Sequence, residues 1–358
     1  MNNEMKNFDI VRKAIENEIA IDEFLVSKFK YKKKGAAVFK VARFKNKIPN
    51  YFNYLCLPLL MFYFIYVIFI SIRARDQCCF VNSRKIFLSF TSHPKIKSLW
   101  RKYEGEVSYT LCVENRILNF LNHLSYKDVM KGYIKSIWFS LKLAIHLKPI
   151  YYLHLTSVLE LVLFSNYLKK INSAGVNKLI LTNHYDRWIT ICSLSDLFDI
   201  ELIQHGLLDP SYCVKNKITN VKKLTCFNNQ QQNIFDNNIF LSKVEIVKHA
   251  TLDIIVIEND KCDVLIISNP FYVKEELVFY HTLIESGLKT LFRPHPLYLN
   301  DKLLSQVRLT DLCLDERFPD ANLCLCRDST LGLEYESAGY QVFWWDDSTN
   351  TDKIIKMV

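Results

Sequence analysis

Short apolar runs that end in polar turns and are followed by helical segments recur along this chain, and this alternation constrains its fold most. Lys85-Ile86-Phe87-Leu88-Ser89-Phe90 leads to Thr91-Ser92-His93-Pro94. Lys178-Leu179-Ile180-Leu181-Thr182 leads to Asn183-His184-Tyr185-Asp186-Arg187 and a helix through Leu197, and Ile200-Glu201-Leu202-Ile203-Gln204 ends in His205-Gly206. Repeated strand, loop and helix predict a parallel sheet with functional residues at the C-terminal ends of its strands. Between the first two strands, residues 112 to 170 read as mostly helical.

The pattern restarts at Cys262-Asp263-Val264-Leu265-Ile266-Ile267-Ser268, after a polar stretch from Asn228 to Asn238 that suits a short helix. A helix from about Lys274 to Ser286, a stop at Gly287 and a strand to Phe292 deliver Arg293-Pro294-His295-Pro296. Leu323 to Cys326, the loop Arg327-Asp328-Ser329-Thr330, a helix through Gly339 and the strand Gln341 to Trp344 complete a second α/β unit. With 358 residues there is enough chain for two cores. The expected fold class is α/β, with two Rossmann-like domains, 76–258 and 259–358, facing a cleft, an arrangement to which the resemblance described below gives the name GT-B-like. Asn259 to Lys261 is the expected linker, and a basic and apolar helical segment over 1–75 precedes the domains.

In that segment Ile10, Val11, Ile15, Ile19 and Phe24 recur at helical spacing within residues 1–27, and no apolar signal-peptide core follows the first basic residues. Nine Lys or Arg and no acid lie between Lys28 and Lys47, in a chain of net charge +9. Such a stretch seeks anions. Tyr54 to Ile72 follows, nineteen residues without a charge, long enough to span a bilayer. An anionic membrane surface therefore suits the basic stretch better than nucleic acid, for which no motif is present. A span with its N-terminal side cytoplasmic would carry the rest of the chain outside, where free cysteines and nucleotide chemistry fit poorly. The expected placement is the cytoplasmic face of the inner membrane, peripheral or monotopic. A true span and a buried helix of the first domain are the alternatives.

The eleven cysteines are scattered without the dense spacing of a disulfide scaffold, and read as reduced, mostly buried thiols. They form no metal-ligand set with histidines, and Asp346-Asp347 is a weak substitute, so metal independence is expected and no cofactor is implied. Neither half carries Gly-x-Gly-x-x-Gly or Gly-x-x-x-x-Gly-Lys-Ser/Thr, which disfavours nicotinamide cofactors and ATP-type loops.

A phosphate must then be held otherwise. Asp328-Ser329-Thr330, between a strand and a helix, offers hydroxyls and free backbone N–H groups to an anion, or simply caps the helix with Glu334 in its first turn. Arg293 and His295 supply two further donors at the end of another strand, His295 also as a proton source.

From Cys262 to Asp347 the chain resembles the nucleotide-binding domain of bacterial surface-polysaccharide glycosyltransferases of GT-B architecture. The likeness is to those using CMP-sugars, the lipooligosaccharide and capsule sialyltransferases, and more distantly to Kdo transferases. Arg293-Pro294-His295-Pro296 and Asp328-Ser329-Thr330 match their His-Pro and Ser/Thr-rich motifs in order, and Ser268-Asn269-Pro270 resembles the turn opening their second domain. The resemblance implies that His295, Ser329 and Thr330 bind the CMP phosphate. Gln204-His205-Gly206 resembles a turn of related capsule enzymes and of CDP-glycerol-using polymerases. The acidic Asp/Glu-Asp/Glu-Gly motif of many bacterial sialyltransferases is missing, and Asp186 is the nearest candidate base, followed by His205 and His184. Ser268, Asn269, Arg293, Glu334 and His184 complete the expected substrate-binding set.

The expected activity is transfer of a sialic or related ulosonic acid from a CMP-sugar to a lipid-linked or polysaccharide acceptor. A CDP-glycerol-type phosphotransferase, a UDP-sugar transferase and an inactive membrane adaptor are the alternatives.

Overall fold

The computed structural model describes residues 3–29, 51–73, 83–91, 94–114, 117–242, 244–248, 256–269, 271–295, 302–314 and 318–358. Most of the basic stretch between Lys28 and Lys47, and Ser92, His93, Pro270 and Pro296, lie outside these residues. The chain divides into two compact units: Met1–Gln204 with Leu208–His249, and His205–Leu207 with Ala250–Val358.

The first unit begins with helix α1 (Asn3–Phe29), which buries Phe8, Val11, Ala14, Ile15 and Ile19 along one face, as its helical spacing predicts. Polar ties fix the same helix. Buried Asn17 donates to Thr190 Oγ1 at 3.0 Å, Glu18 pairs with Arg187, and Asp22 lies 3.1 Å from His154. Helix α2 (Tyr51–Arg73) contains the uncharged run, and its Leu60, Phe64 and Val67 enter the same core. Both helices are thus built into the first unit. Side chains of residues 51–57 are outside the description, and among the described residues no helix is long and apolar enough to cross a membrane.

A parallel sheet follows, made among the described residues by β1 (Lys85–Ser89), β2 (Ser108–Leu111), β5 (Lys178–Leu181), β6 (Asp199–Ile203), β7 (Val221–Cys226) and β8 (Glu245–Lys248) in the order β2-β1-β5-β6-β7-β8. Ile86 and Leu88 join the core on one face of β1 while Phe87 packs with Ile180 and Ile203 on the other, so both faces are covered. The connecting helices are α3 (Pro94–Arg101), α4 (Tyr126–His146), α5 (Val158–Ser173), α6 (Arg187–Ser195) and α7 (Asn229–Ile234). Where residues 112 to 170 read as mostly helical, the chain first makes a small hairpin of β3 (Val113–Glu114) and β4 (Ile117–Leu118). Strands of two residues carry too few side chains for a readable period.

Among the described residues the second unit contains a four-stranded parallel sheet, order β10-β9-β11-β12, of β9 (Val256–Ile267), β10 (Thr290–Arg293), β11 (Phe318–Cys326) and β12 (Val342–Trp344). Val264 and Ile266 face one core layer and Leu265 and Ile267 the other. Its helices are α8 (Val273–Glu285), α9 (Thr330–Ser337) and α10 (Thr351–Ile355). Gly287 ends the turn after α8 at φ 84°, a left-handed conformation that explains the glycine there.

Asn259 to Lys261, read from the sequence as a linker, lies inside β9, and this corrects that reading. The pairing with β11 jumps from Ile257↔Pro319 to Lys261↔Asp320, so the polar residues between them form the irregularity in a strand rather than a hinge. The eight cysteines whose side chains are described are all free, six of them buried.

Candidate functional site

In a doubly wound sheet the ligand crevice opens where the connections diverge, beyond the C-terminal ends of two neighbouring strands. In the second unit that point lies between β9 and β11, because the chain leaves β9 for β10 on one side and returns to β11 on the other.

The loops after these strands are tied together. Asn269 Nδ2 donates to the carbonyls of Arg327 and Asp328, 3.2 Å each. Asp328 stands at φ 50°, a left-handed conformation Asp tolerates better than most residues. Arg327 is anchored on three sides. Its guanidinium lies 4.1 Å from the centre of the Tyr272 ring and 4.9 Å from that of Trp345, and its Nη1 pairs with Asp347 at 2.5 Å.

Below this layer is Glu276, fully buried in the first turn of α8, accepting hydrogen bonds from Ser268 Oγ at 2.6 Å and from the Asn269 N–H at 2.9 Å. Burial pushes its carboxyl up to about 8, against the lowering effect of those two donors. Glu276 therefore carries a proton near neutrality and braces the Ser268-Asn269 turn from inside.

Ser329 occupies the N-cap position of α9, and its hydroxyl makes no capping bond to that helix. Thr330 is the first residue of that helix, and Glu334 is buried within it. Gly332 allows the helix to approach the sheet: a Cβ there would lie 2.4 Å from Cys326 Sγ and 2.9 Å from Trp344. Arg293 ends β10, the neighbour of β9, with its guanidinium 4.6 Å from the centre of the Phe318 ring, and His295 follows half-buried.

The structure thus brings Ser268 and Asn269 against the Arg327-Asp328 turn and sets Ser329, Thr330 and Glu334 directly after it. Arg293 ends the next strand in the sheet, leaning on an aromatic ring, and His295 follows it.

In the first unit Asp186 is the N-cap of α6, its carboxylate accepting from the N–H groups of Trp188 at 2.9 Å and Ile189 at 3.3 Å and from Asn183. Burial raises its pKa, opposed by the Asn183 bond and the charge of Arg187. His184 is buried with its ring edge-on to Phe235, centroids 5.7 Å apart. Gln204 is fully buried and bonded to Gln231 and the Phe227 N–H, which joins the loops after β6 and β7; His205 beyond it is half-buried.

Sequence reasoning missed Glu276, Arg327, Tyr272 and Trp345. Glu276 had a readable signal, since it falls among Val273, Leu277 and Tyr280 on the buried face of its helix, where an ionised carboxylate is costly. The stacking of Arg327 joins residues 272, 327 and 345, and no local pattern announces it. Among the described residues no group of His, Cys, Asp and Glu is placed to hold a metal ion.

No family model and no curated protein matches the chain. Among solved structures it is similar to UDP-GlcNAc 2-epimerase from Methanocaldococcus jannaschii, with TM-score 0.41 and 11% identity over 76% of this chain and 91% of that one.

Proposed function

We propose that this protein is a glycosyltransferase that uses a nucleotide-activated sugar, with the CMP conjugate of a sialic or related ulosonic acid as the favoured donor. A lipid-linked or polysaccharide saccharide is the acceptor. The observation that carries the reading is the rim of the second sheet at its switch point. There a guanidinium held between two rings (Arg327) and an uncapped hydroxyl (Ser329) lie on the loop that Asn269 pins, at the N-terminus of α9. One phosphate needs only such a compact set of donors. His295 protonates or hydrogen-bonds the departing phosphate, and Asp186, or failing it His205 or His184, accepts the proton of the acceptor hydroxyl. The basic stretch and the outward side chains of α2 hold the enzyme at the cytoplasmic face of the inner membrane.

Two measurements test this. Thermal unfolding with CMP, UDP, CDP and GDP identifies the bound nucleotide, since a ligand at a hundred times its Kd adds about 2.7 kcal/mol to stability. Selective stabilisation by CMP is expected. UDP or CDP instead would move the reading to a UDP-sugar transferase or a CDP-glycerol-type phosphotransferase, and no stabilisation by any of them would favour a non-catalytic adaptor. In a transfer assay, His295→Ala should lose most of its turnover, and an unimpaired variant would remove His295 from the mechanism.

A further inference from the structure

Helix α4 is apolar on the side turned away from its own core. Tyr126, Met130, Ile134, Trp138, Leu141 and Ile145 recur every three or four residues and are between 48% and 81% exposed. Its opposite face, Val129, Gly132, Ser136, Phe139, Ser140 and Leu143, is buried. A surface helix normally turns polar residues outward, and an outward stripe that runs the length of 21 residues marks an interaction surface.

The charges beside the stripe indicate what it meets. Between Tyr126 and Lys148 the chain carries Lys127, Lys131, Lys135, Lys142 and Lys148 against a single acid, Asp128. Along one flank α4 and α5 enclose a groove of about 840 Å³ lined by Lys131, Lys135, Lys169 and Lys170, with Glu4 and Asp128 also at its wall. Ile134 and Trp138 of the stripe line the same groove, so the apolar face and the basic groove are continuous. Burial lowers the pKa of Lys135 and Lys169, the mark of ammonium groups partly stripped of water. Helix α2, which packs against α4 within the first unit, turns Leu59, Phe62, Tyr66 and Phe69 outward as well.

We infer that the outward face of α4 beds in an anionic lipid bilayer, its apolar stripe among the acyl chains and the lysine-lined groove taking lipid phosphate groups. Apolar side chains with an aromatic at the boundary and lysines alongside are the composition of an interfacial helix. A second copy of the chain fits less well, because a two-fold interface on this stripe would bring two lysine flanks towards each other. The inference extends the membrane reading above to a helix that the uncharged run does not include, and rests on that reading only for the existence of a membrane partner.

The test is co-sedimentation of the full chain with vesicles of phosphatidylcholine alone or mixed equally with phosphatidylglycerol. Wild type should bind the mixed vesicles in preference. Ile134→Ser with Leu141→Ser and Ile145→Ser should weaken that binding by about tenfold or more, and Lys131→Gln with Lys169→Gln by about fivefold per lysine on the mixed vesicles only. All these side chains sit at the surface, so unchanged circular dichroism and melting are expected.

Undiminished binding by the Ile/Leu triple variant would overturn the inference. So would binding lost only when Phe62→Ser and Phe69→Ser are made in α2, a result that leaves the membrane reading standing. A dimer seen by ultracentrifugation, abolished by the triple variant while wild type ignores vesicles, would assign the stripe to a second copy and overturn it too. Nucleotide-induced stabilisation of the triple variant should equal that of wild type, which separates failure here from failure of the proposed activity.

Discussion

Glu276→Gln should change how stability depends on pH. The side chain is fully buried, and its carboxyl titrates near 8 in the folded protein against an ordinary value of 4.5. A carboxyl whose folded pKa is raised contributes stability that is complete below 4.5 and is lost as the pH rises through 8, because only the unfolded chain gives up its proton easily. At about 1.4 kcal/mol per pH unit, wild type should lose roughly 4 kcal/mol from this group between pH 5 and pH 9.

Glutamine reproduces the neutral acid. Its carbonyl oxygen can accept from the Asn269 N–H and its amide can donate to Ser268 Oγ, the two partners that Glu276 already has. Urea unfolding of variant and wild type at each pH from 5 to 9 isolates the effect, since the other titrating groups are common to both. The difference should move in favour of Glu276→Gln by about 4 kcal/mol across that range. Parallel profiles would refute the claim that Glu276 is held protonated.

Other substitutions probe the remaining parts. Gly332→Ala should destabilise the second unit by about 1–3 kcal/mol, read from thermal melts, because the new methyl meets Cys326 Sγ at 2.4 Å. Asp186→Ala should cost about 1 kcal/mol through loss of the cap on α6, whereas Asp186→Asn keeps the cap and the stability. If Asp186 accepts the acceptor's proton, both variants lose turnover, and an active Asp186→Asn enzyme would confine the residue to capping.

The sequence by itself determined several of the central strands, because each of these is a run of apolar residues bounded by polar turns. The runs around Ile86, Leu179, Leu202, Leu265 and Leu325 all fall within strands. It also marked Ser268, Asn269, Ser329 and Thr330 as strand-end residues, since in a parallel sheet the polar turn after each strand falls on one rim.

What it could not determine is which rim residues meet. The order β10-β9-β11-β12 sets Asn269 beside Arg327, 58 positions away in the chain, and folds Tyr272 and Trp345 onto that guanidinium. The tertiary structure likewise turned the apolar run of α2 into part of a core, put the polar residues near Asn259 into a strand irregularity, and turned the apolar stripe of α4 outward. The reason is physical: local periodicity records how much of an element is apolar, while the direction it faces is set by neighbours distant in sequence.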